Sequence, residues 1–134
     1  MLKKTITYQD FNGVERTEDF YFNLNKAEVA EMELSTPGGY AEMLQRIARA
    51  QDGRSIIKEF KKLVLDSYGI KSADGRRFIK NDTLREEFEQ TNAYPIIFME
   101  LATDADKAAE FVNGIMPNEA VVPNAQKTAV VPVT

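Results

Sequence analysis

Alternating apolar and polar residues predict two strands in residues 2–22, joined at the turn-forming pair Asn12-Gly13. A two-residue loop would place the aromatic residues of the second strand and the apolar residues of the first strand on different faces of the sheet. A three-residue loop, Phe11-Asn12-Gly13 with Gly13 as a bulge, pairs Asp10 with Val14 instead. Because a shift of one residue moves a whole strand's side chains across the sheet, we expect the second register. It gathers the large side chains on one face: Leu2, Ile6, Tyr8, Phe20 and Phe22.

Helical spacing of apolar residues follows the hairpin and continues through residues 26–113. The first helix is predicted to start at Asn25, with Glu28 completing a capping box, and to run to about Leu34. A second helix is predicted from Tyr40. Its apolar face contains Tyr40, Met43, Leu44, Ile47 and Ala48.

A central helix from Ile56 is predicted to form the spine of the core. We expect Asp52 to cap this helix and Gly69 to end it in the left-handed conformation. The buried side is predicted to contain Ile56, Phe60, Leu63, Val64 and Tyr68.

Residues 70–80 are predicted to form a basic surface loop in which Asp74-Gly75 makes a turn. Asn81 or Asp82 can cap the next helix. Residues 92–113 fit either two short helices or one bent helix, with Thr103 and Asp106 as a capping pair. Gly114 and Pro117 are predicted to end this part of the chain.

These patterns predict an α+β fold: an N-terminal β-hairpin followed by a bundle of five or six helices and an extended C-terminal tail. We expect one domain over residues 1–117, with the hairpin at 2–22 and the helices at 26–113. Residues 118–134 repeat Ala-Val-Val-Pro and carry two charged side chains, so we expect an extended or disordered tail. A peptide that binds in a partner's groove is the alternative for this tail.

Composition narrows the function. The 134 residues include 17 basic and 21 acidic side chains, which argues against nonspecific nucleic-acid binding. The absence of Cys and His excludes thiol nucleophiles and classical zinc sites, so we expect no enzyme, metal or cofactor. A carboxylate-based enzyme remains a distant alternative. Since neither a secretory signal nor a 20-residue apolar run is visible, we expect a cytoplasmic protein without membrane partners.

The densest basic cluster is predicted to bind an acidic partner surface or a phosphate group. It contains Arg76, Arg77 and Lys80, with Lys71 nearby and Phe78 and Ile79 beside them. The alternative is that these are solvated loop charges paired with carboxylates such as Asp74 or Glu86. Asp74 does not begin a calcium loop, since the required pattern and terminal Glu are missing.

Several segments, in order, resemble the tail assembly chaperones of long, non-contractile-tailed phages (siphophages) of Gram-positive hosts. The resemblance covers residues 2–117 and fades in the tail. The segments that carry it are Asp19-Phe20-Tyr21-Phe22-Asn23-Leu24, Glu31-Met32-Glu33-Leu34-Ser35, Tyr68-Gly69, Asp74-Gly75-Arg76-Arg77-Phe78-Ile79-Lys80, Phe98-Met99-Glu100-Leu101-Ala102-Thr103-Asp104-Ala105 and Asn113-Gly114-Ile115-Met116-Pro117.

The resemblance implies a non-enzymatic protein of the host cytoplasm that binds and solubilises the tape measure protein and is absent from the mature virion. A programmed frameshift in such phages gives a longer product that recruits tail tube protein, and self-association is expected. Met32, with Met43 and Met99, could supply adaptable apolar surface, although core packing is the simpler interpretation of Met43 and Met99. The alternative is a structural morphogenesis protein such as a head–tail adaptor or tail terminator.

Overall fold

The computed structural model describes residues 1–40, 42–43 and 53–117. In these residues a four-stranded antiparallel sheet, in the order β1-β2-β3-β4, packs against helices. The elements, in chain order, are β1 (Leu2–Gln9), β2 (Glu15–Phe22), α1 (Lys26–Ser35), α2 (Gly53–Ser67), β3 (Tyr68–Lys71), β4 (Phe78–Ile79), α3 (Asp82–Glu89), α4 (Ala93–Thr103) and α5 (Ala105–Ile115). The predicted α+β class is confirmed.

The β1–β2 hairpin has the predicted three-residue loop. Gln9 pairs with Glu15, and the amide of Asp10 donates to the carbonyl of Val14 at 2.9 Å. Gly13 has φ +79°, a left-handed conformation that glycine adopts without steric cost. The apolar face of the hairpin is therefore the one that the pattern predicted.

That face packs on α3, α4 and α5 through aromatic rings. The Phe22 ring lies 5.3 Å from Phe111 and 5.8 Å from Phe88, both edge-on. Tyr68 stacks on Phe88 at 4.3 Å. Such pairs stabilise the core beyond the area that they bury. Lys4 also lies on this face and forms an ion pair with Glu100 of α4, a contact that the sequence pattern did not indicate.

Residues 68–79 form a second hairpin, where the sequence predicted a loop. Tyr21 pairs with Gly69, and Ile70 with Ile79, which extends the sheet to four strands. The prediction that Gly69 ends the central helix in the left-handed conformation is wrong, since Gly69 lies within β3. A Cβ there would lie 2.8 Å from the carbonyl oxygen of Ile79. Gly69 is needed for close approach of the second hairpin's own backbone.

Helix α2 buries its C-terminal half only. Leu63, Val64 and Ser67 are buried, and the Ser67 hydroxyl donates to the carbonyl of Leu63 at 2.6 Å. Phe60, predicted to be a core residue, is half-buried and lies outside the core cluster. The helical spacing is as predicted, but Phe60 lies at the edge of the described core.

Residues 93–115 form two helices that meet at Asp104, which settles the two alternatives. The predicted Thr103–Asp106 capping pair is wrong. Asp104 caps α5 by accepting from the amides of Asp106 and Lys107 at 3.0 and 3.2 Å. The Thr103 hydroxyl instead donates to the carbonyl of Met99 within α4.

Gly114 does not end α5, because the helix continues to Ile115. A Cβ at Gly114 would lie 2.9 Å from the Leu2 side chain. The glycine therefore allows close packing of α5 against β1.

Two predictions fall outside the described residues: most of the helix from Tyr40, with the Asp52 cap, and the tail at 118–134. Within the described part, Tyr40 is buried in the core, and its hydroxyl donates to Glu59 at 3.1 Å. Met43 packs on the core, as the simpler interpretation held. The same interpretation is wrong for Met99, which is 54% exposed.

Candidate partner-binding surfaces

The predicted basic cluster is divided by the structure. Arg76 and Arg77 are exposed at the turn between β3 and β4, and among the described residues neither guanidinium pairs with a carboxylate. The Asp74 side chain shapes this turn: it accepts from the Ser72 hydroxyl at 2.7 Å and from the amide of Arg76 at 3.0 Å. The Ser72 hydrogen bond, followed by the Arg76 amide, lowers the pKa of Asp74.

Lys80 lies apart from the two arginines and is 10% exposed. Its ammonium group donates to the carbonyl of Asn23 at 2.6 Å and to both carboxylate oxygens of Glu28 at 2.8 and 2.9 Å. Phe78 is half-buried, with the Lys80 nitrogen 5.8 Å from its ring centroid. Lys80 thus joins the end of the second hairpin to α1.

The capping box predicted for α1 is confirmed. Asn25 accepts from the amide of Glu28 at 2.8 Å, and the Glu28 carboxylate accepts from the amide of Asn25 at 2.9 Å. Glu28 therefore caps the helix and binds Lys80 with one carboxylate. These polar contacts fix the N-terminus of α1, although α1 buries none of its own residues.

Met32 lies on the inner side of α1 and lines an open groove, which we call the α1 groove. Its volume is about 670 Å³. Leu34, at the far end of the helix, is 89% exposed. The lining combines apolar side chains with three carboxylates and one guanidinium: Leu24, Glu28, Glu31, Met32, Leu34, Ser35, Asp66 and Arg85.

The charges around this groove are held in place by neighbours. Asp66 pairs with Lys62 at 2.6 Å. Arg85 donates to the carbonyl of Leu65 at 3.2 Å and to Asp82 at 3.0 Å. The result is an apolar strip with a mainly acidic rim. Of the predicted site residues, the structure brings Met32 and Lys80 together through Glu28, and it leaves Arg76 and Arg77 elsewhere.

A second groove, also about 670 Å³, lies between α2 and the α4–α5 junction, and we call it the α5 groove. No charged side chain is among its described lining residues, which are Phe60, Leu101, Ala102, Thr103, Ala105, Ala108, Ala109, Val112 and Asn113. Ala105, Ala108, Ala109 and Val112 give this side of α5 a face of small residues. Phe60, which the sequence pattern placed in the core, lies beside it.

Comparison with known proteins identifies the family of the chain. The model of the phage tail assembly chaperone family matches residues 1–132. The chain belongs to that family. The resemblance to phage tail assembly chaperones is confirmed, and the match extends past residue 117 into the tail, where the resemblance had been expected to fade. No curated protein and no solved structure matches the chain.

The shifted titratable groups of the chaperone include two tyrosines and two aspartates. Burial, with help from Glu59, raises the pKa of the Tyr40 phenol, and burial raises that of Tyr68. Hydrogen bonds lower the pKa values of the Asp10 and Asp74 carboxyls. Among residues 1–40, 42–43 and 53–117 no three carboxylates are grouped to hold a metal ion.

Within the same residues, no helix has the length and apolar character needed to span a bilayer.

Proposed function

We propose that this chaperone binds and solubilises the tape measure protein during tail tube assembly in the host cytoplasm, and that it is absent from the mature virion. The observation that supports this most is the α1 groove, because it is an open apolar strip carried by a helix that the core does not cover. A longer frameshifted product would bring the tail tube protein to the same complex.

The chemistry of the α1 groove suits a helix with an apolar stripe. Met32 supplies a flexible, polarizable side chain that adapts to different partner side chains. Leu34 offers apolar area that no described neighbour covers. The volume lies within the ~300–1,000 Å³ range of protein binding pockets.

Glu31 adds a preference for charge. It is an exposed carboxylate of the groove's lining, whereas Glu28 is already bound by Lys80 and Asp66 by Lys62. A partner helix with Lys or Arg beside its apolar stripe would meet opposite charge there, and this favours both encounter and register. Many copies along one long partner would bind it tightly through weak individual contacts.

The test is co-expression with the tape measure protein from the same gene cluster, followed by a solubility and pull-down assay. We expect the wild type to keep the tape measure protein soluble and to co-purify with it. Leu34→Glu should greatly reduce both the solubility of the tape measure protein and its co-purification. The substitution places a charge in the apolar strip without disturbing the fold. Met99→Glu is the matched control, since Met99 is 54% exposed on α4, away from this groove.

Equal loss with Met99→Glu would place the binding surface elsewhere. A tape measure protein that stays insoluble and unbound with the wild type would contradict the proposal. Mass spectrometry of purified virions tests the proposal that the chaperone is absent from the mature virion. A stoichiometric amount of this chain in the particle would support a structural adaptor or terminator instead.

A further inference from the structure

The last described residues of the chain lie beside the α1 groove. The amide of Leu24 donates to the carbonyl of Ile115, the last residue of α5, at 2.8 Å, and Leu24 lines the groove. Met116 packs on the core, and Pro117 follows it. Because two residues span at most about 7 Å, the chain beyond Pro117 starts close to the Leu24 end of the groove.

The residues that follow have a composition that suits this groove. Residues 118–134 contain Ala120-Val121-Val122-Pro123, which we call the tail segment and which recurs at residues 129–132. Proline cannot continue a helix, and it favours an extended conformation in the residue before it. Four extended residues cover roughly 13 Å, close to the ~15 Å length of the ten-residue helix α1.

The charges of the two surfaces are complementary. Glu31 is an exposed carboxylate of the groove's lining, and among the described residues it pairs with no cation. Lys127 follows the tail segment by four residues, which span at most about 14 Å, so it can meet Glu31 while the segment lies on Met32 and Leu34. Leu34, which is 89% exposed, would gain the most cover.

We propose that the tail segment occupies the α1 groove of its own chain when no partner is bound. It is the occupant because a short link gives an effective concentration in the millimolar range, so an affinity of roughly 1 mM fills about half of the grooves. The first copy of the repeated sequence is linked through fewer residues than the second copy at 129–132, and its loop closes at lower entropic cost.

The consequence for partner binding rests on the proposed function of the groove. A partner helix binds only the fraction of grooves that the tail segment leaves open, so its apparent affinity falls in proportion. Half occupancy lowers the apparent affinity about twofold, and nine-tenths occupancy lowers it about tenfold. The segment thus favours a partner with a long apolar stripe over short apolar sequences.

Disulfide crosslinking tests the contact on the full chain alone, since the sequence contains no cysteine. Ser35→Cys/Val121→Cys places one thiol in the groove's lining and one in the tail segment. Because a disulfide needs Cα atoms within about 7 Å, mild oxidation should join the two thiols of one chain.

The matched control places the first thiol elsewhere on the same helix. Ala30 is exposed on α1 and is not among the described residues that line the groove. Ala30→Cys/Val121→Cys should therefore crosslink about tenfold more slowly. Equal rates in the two variants would overturn the proposal, and so would a disulfide that forms only between chains. Mass spectrometry of diluted samples separates the two kinds of disulfide, and circular dichroism melts check that both variants are folded.

Hydrogen exchange in α1 gives a second measurement without added cysteines. Val121→Ser/Val122→Ser should speed the exchange of α1 amides about twofold to tenfold, because it removes apolar cover from the helix. Val130→Ser/Val131→Ser changes the second copy of the same sequence and should leave α1 as in the wild type. No acceleration by the first variant would contradict the proposal, as would equal acceleration by both.

Both measurements are made without the tape measure protein, so their failure leaves the proposed function intact. In the co-purified complex, the crosslink of Ser35→Cys/Val121→Cys should form more slowly than in the free chain, because the partner displaces the tail segment. An unchanged rate there would overturn the competition between segment and partner. A crosslink that forms in a chaperone that binds no tape measure protein would support the tail contact and contradict only the proposed function.

Discussion

Helices α1 and α5 have similar lengths but are held to the molecule in opposite ways. α5 buries Ala108, Phe111 and Ile115. α1 buries no residue, and only Val29 and Met32 pack partly against the core. Among the described contacts, the Lys80–Glu28 ion pair joins the capped N-terminus of α1 to the second hairpin.

This difference separates stability from binding. Full burial of a large apolar side chain contributes about 1.5–3 kcal/mol, whereas a typical hydrogen bond adds about 1 kcal/mol net. The α5 region therefore supports the global fold, and α1 can open at lower cost. Under the proposed function, an apolar strip on the less firmly held helix can adapt to a long partner.

The largest expected effect is in the core. Phe111→Ala should lower the free energy of unfolding by about 3–5 kcal/mol, because it leaves a cavity beside Phe22. Phe60→Ala is the matched control and should cost less, about 1–2 kcal/mol, since Phe60 is half-buried at a groove. Urea titration followed by circular dichroism measures both. Equal losses would mean that the α5 groove is closed in solution.

Removing the Lys80 charge should loosen α1 more than it lowers global stability. Lys80→Met leaves Glu28 and the carbonyl of Asn23 without their donor, which should cost about 1–3 kcal/mol locally. Faster hydrogen exchange confined to α1 would show this. Lys62→Met removes an exposed ion pair with Asp66. It should change the opening free energy of α1, measured by hydrogen exchange, by less than about 1 kcal/mol. A uniform acceleration across the protein would show that α1 is part of the global unit.

Two asparagine caps give a more sensitive comparison. Asn25→Ala and Asn81→Ala each remove a side-chain acceptor from a helix start and should each cost about 1 kcal/mol. For Asn25→Ala the loss of stability should appear as faster hydrogen exchange confined to α1. For Asn81 it should lower the urea midpoint, because Phe88 of α3 lies in the core. The two helices would be equally integrated if both variants shifted the midpoint alike.

The smallest effect concerns acid. The hydrogen bond from Arg16, followed by the amide of Val14, lowers the pKa of Asp10 below its ordinary value of 3.8. The ionised carboxylate therefore stabilises the hairpin tip above that ordinary value, and the contribution is lost as pH falls through the lowered pKa. Amide chemical shifts of Asn12 and Val14 should titrate below pH 3.8, and Asp10→Asn should abolish the titration. A midpoint above that value would contradict the hydrogen-bonded tip.

Local chemistry was predictable wherever neighbours in sequence decide the outcome. The hairpin register followed from the need to place Ile6, Phe20 and Phe22 on one face. The Asn25–Glu28 capping box followed from spacing alone. Of the proposed groove, only Met32 was anticipated, and it came from the family resemblance with no geometric signal behind it.

Contacts between distant segments were not predictable in this way. The four-residue strand β3 exists because Tyr21 and Phe22 offer it a partner, and its own sequence fits a loop equally well. Lys80 is of a residue type that usually lies at the surface. Its position after β4 nevertheless brings its ammonium nitrogen within 2.8 Å of a carboxylate oxygen of Glu28, 52 residues away in sequence.

The sequence by itself determined the described helices, the first hairpin's register and the cap of α1, because these depend on side-chain periodicity and short-range hydrogen bonds. The family followed from the resemblance of several segments in order. Only the tertiary structure decided that Phe60 lines a groove, that Gly69 and Gly114 allow close packing, and that α1 is held by an ion pair. Each of these depends on which surfaces meet after the chain has folded. Side-chain periodicity does not indicate which distant residue a buried side chain will contact.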